Sequence, residues 1–140
     1  MRTLHLALLA MALTGCALRG PSGGIDPRCT SAGASGAAPA DTAIYDTSRV
    51  DTRPAYVSGQ PPRYPKDLRE AGTTGDVEVE IVVNADGRVE PSSIRVLEYS
   101  DREFADSAVD AVRTWRFCPA TRRGVPVRIR FRQPVHFRLG

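Results

Sequence analysis

From Asp76 to Val83 the chain alternates. Val77, Val79, Ile81 and Val83 are apolar, while Asp76, Glu78 and Glu80 take three of the four positions of the other phase. A period of two is the pattern of a strand with one buried face and one wet face. The C-terminal stretch repeats it with the opposite charge: Val125, Val127, Ile129, Phe131, Val135, Phe137 and Leu139 alternate with Arg128, Arg130, Arg132, His136 and Arg138. An acidic stripe and a basic stripe on two such strands invite cross-strand pairing on one solvated face. The two are therefore expected as neighbours in one antiparallel sheet, with helices covering the apolar side.

The segments between them have their own periods. Ala55-Tyr56-Val57 suits a short edge strand, and Tyr64–Gly72 suits a helix of about two turns, with Pro65 at its start and Gly72 past its end. Asn84-Ala85-Asp86-Gly87 reads as a hairpin connection in which Gly87 supplies a positive φ. Arg88–Glu98 returns as a strand whose alternation slips at Pro91-Ser92, predicting a bulge or bend there on an edge strand. Ser100 and Glu103 form a capping-box pattern. It opens a helix whose apolar stripe is Phe104, Ala108, Ala111, Val112 and Trp115. Phe117-Cys118-Pro119-Ala120 ends that helix, and Arg122-Arg123-Gly124 turns into the last strand.

The N-terminal 15 residues have the layout of a targeting segment, with Arg2 before a short apolar run, Leu4–Leu13. That run is shorter than the roughly 20 apolar residues of a membrane span. Leu13-Thr14-Gly15-Cys16 resembles the lipobox of bacterial lipoproteins, which implies cleavage before Cys16 and a lipid anchor on it. Ala17, rather than an acidic residue, follows the cysteine and favours the outer membrane. Residues 16–49, rich in Gly, Ala, Ser and Pro, are expected to be a flexible tether with a typical reach of roughly 30 Å. Residues 50–140 are left for the folded domain. Cys29 and Cys118 remain as an even pair in an oxidising compartment; they either bridge the tether to the domain or stay as a free Cys29 and a buried Cys118.

A net charge of +3 and an aromatic content of 6% do not describe a nucleic-acid surface. No catalytic constellation, phosphate-binding loop or metal-ligand spacing is visible. His136, the one histidine after the targeting segment, lies among strand arginines. The expectation is a binding module, not an enzyme, with no cofactor and no metal.

The ordered motifs bring a resemblance into view. Tyr64-Pro65, Leu68, Gly72 and Gly75 lead into an alternating strand; Asp86-Gly87-Arg88-Val89 follows; then come Trp115-Arg116-Phe117 with Pro119-Ala120, Gly124, Val125-Pro126-Val127 and Pro134-Val135-His136-Phe137. Together they resemble the TonB C-terminal domain. The resemblance implies a small two-layer α+β sandwich, a three-stranded antiparallel sheet with two helices on one face. It also implies a periplasm-facing module, associated with TonB-type transmembrane transport, that takes an extended segment of an outer-membrane transporter or other envelope protein onto its last strand. The gripping edge would be Val127, Arg128, Ile129, Arg130, Phe131 and Arg132, with Gln60–Arg63 also near the guest. The alternative is a lipid-anchored scaffold that self-associates by strand exchange or meets anionic envelope components through Arg128, Arg130, Arg132 and Arg138.

Overall fold

The computed structural model describes Cys29 and residues 42–140. The targeting segment, Cys16 and most of the expected tether lie outside the described residues. The body is built on three antiparallel strands in the spatial order β7 (Val125–Phe137), β3 (Gly75–Val83) and β4 (Arg95–Tyr99). The two alternating stretches are adjacent: Gly75 lies opposite Phe137 and Val83 opposite Ile129, with every residue between them in register. Their apolar phases, Val77, Val79, Ile81 and Val83 on one strand and Ile129, Val135 and Phe137 on the other, are buried in one core.

Helix α2 (Arg102–Val112) covers that apolar side with Phe104, Ala105, Ala108, Ala111 and Val112, all buried. Phe104 stacks on Phe137 at 4.4 Å, and Tyr64 meets both rings edge-on. The short helix α1 (Lys66–Glu70) has no fully buried residue, but Leu68 packs on the same core.

The sheet is larger than three strands. β1 (Ile44–Tyr45) runs parallel to β7 on the side away from β3, with Ile44 opposite Arg128 and Tyr45 opposite Ile129. β6 (Ala120–Arg122) pairs antiparallel with Val125–Val127. A separate ribbon joins β2 (Ala55–Ser58) to β5 (Arg116–Cys118). The boundary at residue 50 therefore shifts: residues 42–49, assigned to the tether by composition, carry β1 and a turn closed by Arg49 N–H bonding to the Asp46 carbonyl. Tyr45 is held there by the Arg122 guanidinium, 5.0 Å above its ring, and by packing on the core. Two paired residues are too few to show a period.

Local signals moved by small steps. Asp101, not Ser100, caps α2, accepting from the Glu103 N–H at 2.9 Å. Ser100 instead ties the end of β4 to the start of β3, exchanging bonds with the Asp76 backbone. The helix ends at Val112, so Trp115 joins the core from the following turn. Pro91 opens a single 3-10 turn over Pro91–Ser93, and the register slip falls further along, inside β4 at Leu97, between Val96 opposite Val79 and Glu98 opposite Glu78. Gly87 has φ +84°, and a Cβ there would lie 2.0 Å from the Phe117 carbonyl oxygen. Only glycine lets this hairpin approach β5, where the Phe117 N–H bonds to the Gly87 carbonyl at 2.9 Å.

Candidate functional site

β7 reaches the surface because of its alternation: the apolar phase anchors it to the core, and the polar phase stands on the solvated face. Across that face the expected charge pairing is present, offset along the strands. Arg130 reaches Glu80 at 3.9 Å and Arg132 reaches Glu78 at 4.0 Å. Both guanidinium side chains remain more than half exposed, at 54% and 66%, so each contact contributes under about 1 kcal/mol. Nearer the C-terminus, Arg138 contacts Asp76 at 2.7 Å, and His136 Nδ1 lies 2.6 Å from the same oxygen. The His136 hydrogen bond first, and then the Arg138 hydrogen bond, hold the Asp76 carboxyl below the usual carboxylate range.

The six residues expected to form the gripping edge divide into two groups. Val127 is buried and paired with Ala120 of β6. Arg128 and Ile129 are paired with β1. The Arg128 guanidinium, more buried than its neighbours, bonds Asn84 Oδ1 at 3.0 Å and the Thr42 carbonyl at 3.0 Å, and it is ion-paired with Glu90. It clamps β1 and the hairpin turn to β7 and does not stand ready for a guest. Arg130, Phe131 and Arg132 differ: among the described residues no strand pairs with β7 on the side away from β3 beyond Ile129.

Beside this open stretch lies a cleft of about 480 Å³ lined by Asp46, Thr47, Arg53, Pro54, Glu80, Arg130, Phe131 and Arg132. Asp46 and Arg53 were not anticipated as site residues. They carry no motif, and only the turn after β1 brings them to the edge.

The Gln60–Arg63 stretch is committed elsewhere. The Gln60 N–H bonds Thr114 Oγ1 at 2.9 Å, Trp115 Nε1–H donates to the Gln60 carbonyl at 2.9 Å, and the Ser107 hydroxyl donates to the Arg63 carbonyl. It lines a separate groove with Tyr64, Lys66, Arg69 and Asp110, which shares no residue with the β7 cleft.

Cys29 and Cys118 are joined, with Cα atoms 5.3 Å apart, and Cys29 is buried. Among the described residues no group of three or more His, Cys, Asp or Glu is placed to hold a metal. No helix among them is long and apolar enough to cross a membrane.

The family profile described as Gram-negative bacterial TonB protein C-terminal matches residues 60–139. A Vibrio cholerae serotype O1 protein named Protein TonB is 39% identical over 89 residues, covering 62% of this chain and 36% of that protein. A Xanthomonas campestris pv. campestris protein of the same name is 35% identical over 79 residues, covering 56% of this chain and 35% of its own length. The chain thus spans about a third of the length of these curated relatives. A solution NMR structure of the Pseudomonas aeruginosa TonB CTD aligns with 69% of this chain and 94% of its own, at 25% identity and a TM-score of 0.49.

Proposed function

Because this chain belongs to the TonB C-terminal family, we propose that it is a periplasm-facing binding module of TonB-type transport, which takes up an extended segment of an outer-membrane transporter or other envelope protein by strand addition. The observation that carries this reading is the β7 edge beyond Ile129, which has no partner strand among the described residues. Strand addition draws affinity from main-chain hydrogen bonds and specificity from alternate side chains. The site asks for no chemistry beyond binding. Its titratable groups are either paired across the sheet or exposed, and its exposed arginines can recognise anionic side chains without any covalent step.

The anchor belongs to the same proposal. Acylation of Cys16 would hold the module at a membrane, on the outer-membrane side by the residue that follows it, with its sheet facing the periplasm. The bridge from Cys29 to Cys118 would then pin the chain at Cys29 to the domain.

A pull-down from solubilised membranes, with wild-type protein and Arg132→Pro as paired baits, tests the reading. Proline removes a ladder donor, so the variant should lose the transporter that the wild type retains. Equal capture of the same transporter by both would count against strand addition.

A further inference from the structure

The open stretch of β7 has two ends, and each limits what can be added. At the near end β1 already pairs with Arg128 and Ile129. At the far end stands Pro134, opposite Glu78 in the β3–β7 ladder. A proline is tolerated in a paired strand where its nitrogen faces away from the neighbour. The phase of Pro134, which includes residues 130, 132 and 136, therefore turns its N–H and C=O groups to the outer edge. Pro134 itself has no N–H to offer. In the parallel register of Tyr45 opposite Ile129 the Arg130 N–H faces the Tyr45 carbonyl, so the open groups run from the Arg130 C=O through Arg132 to the Pro134 C=O, a stretch of about 13 Å at the rise of an extended strand.

Charge narrows the occupant further. Along the solvated face an acidic column on β3, Glu78 and Glu80, is followed by a basic column on β7, Arg130 and Arg132. The two columns touch only at 3.9 and 4.0 Å. A strand added outside β7 meets the basic column from the other side. Across the cleft Arg53 adds a third guanidinium. The two carboxylates there are already engaged, Asp46 with Ser48 and Arg49, and Glu80 with Arg130. On the opposite face of the same stretch is Phe131, half-buried and packed on the core.

We propose that the segment taken up at this edge is about four residues long and alternates acidic with apolar side chains, its carboxylates beside Arg130, Arg132 and Arg53 and its apolar side chains beside Phe131. The proposal rests on the strand-addition reading above and adds the chemistry of the guest. The chain already contains this pattern: Val77-Glu78-Val79-Glu80-Ile81, on β3, pairs with the other edge of β7.

That segment supplies the probe. A blocked synthetic pentapeptide Val-Glu-Val-Glu-Ile and its counterpart Val-Lys-Val-Lys-Ile are titrated into the disulfide-intact protein, and backbone amides are followed by NMR. The acidic peptide should move the amides of residues 130–133 and bind at least about 5-fold tighter than the lysine peptide at low salt. The preference should shrink at about 0.5 M salt and reverse in Arg132→Glu. Equal binding of both peptides at this edge would overturn the charge assignment while leaving strand addition standing. Binding that perturbs only Arg63, Lys66 and Arg69 would overturn the location. No response of residues 130–133 to either peptide would overturn strand addition as well.

Discussion

Proline scanning of β7 gives the sharpest test of which way its backbone faces. Pro134 places the even residues from 130 to 136 with their N–H groups outward, so the odd residues direct theirs at β3. Arg132→Pro should then remove only a solvent-facing donor, together with the 4.0 Å contact to Glu78, which contributes under about 1 kcal/mol. Gln133→Pro, one residue along and opposite Val79, should break the ladder. It removes a hydrogen bond and leaves a β3 acceptor unmet, at about 1–3 kcal/mol, and the fixed φ of the ring adds strain to that. Neither side chain is buried, and alanine at each position supplies the baseline. In urea or thermal denaturation the two proline variants should differ by at least about 2 kcal/mol, roughly 10 °C or more for a domain near 100 residues. Equal losses, or a larger loss at residue 132, would refute the outward phase and with it the donor row offered to a guest.

Three further outcomes follow from other parts of the structure. Reducing the Cys29–Cys118 bridge, which spans 89 residues, should lower stability by up to about 4–5 kcal/mol in the chain-entropy limit; unchanged denaturation in the presence of reductant would contradict a constraining bridge. The depressed pKa of Asp76 means that the Asp76–His136–Arg138 cluster stabilises the fold above the ordinary carboxylate pKa, and that this stability is lost as pH falls through the lower folded value. Measured from about pH 5 downward, the stability difference between wild type and Asp76→Asn should therefore shrink and vanish in acid; a difference that grows over that range would reverse the sign. Gly87→Ala should cost at least about 2 kcal/mol in equilibrium unfolding, from the left-handed backbone and the collision with the Phe117 carbonyl, and a neutral substitution would mean that the hairpin does not approach β5 this closely.

What could be read from the residues depended on repetition. β3 and β7 were legible because each repeats a period of two over many residues, and opposite charges on the exposed phase also fixed that they are neighbours. The stripe of α2 was legible for the same reason, although Trp115 belongs to the turn after the helix and Asp101 displaces Ser100 as its cap. Three-residue strands such as β5 and β6, set between a helix and a turn and split by Pro119, carry no period, and β1 carries two residues only. These are held by what they meet: Phe117 by the Gly87 hairpin, Ala120 by Val127, and Tyr45 by Arg122. The same limit explains the site. The alternation pointed to β7, but it did not tell Arg128 from Arg130. Only the structure shows that Arg128 is used by Glu90, Asn84 and Thr42, and that β1 stops before Arg130. Arg53 and Asp46 reach the cleft through a turn that no sequence pattern marks.

The account turns on β7 accepting a foreign strand beyond Ile129. Its most direct test is a photo-crosslinking residue placed at Arg132 in living cells, with a second at exposed Arg102 on α2 as control, followed by mass spectrometry of the joined peptides. Crosslinks from position 132, absent from position 102, that map to one short extended segment of an outer-membrane transporter are the predicted result. Crosslinks from position 132 that map only to this protein's own chain, or to no polypeptide at all, would contradict it.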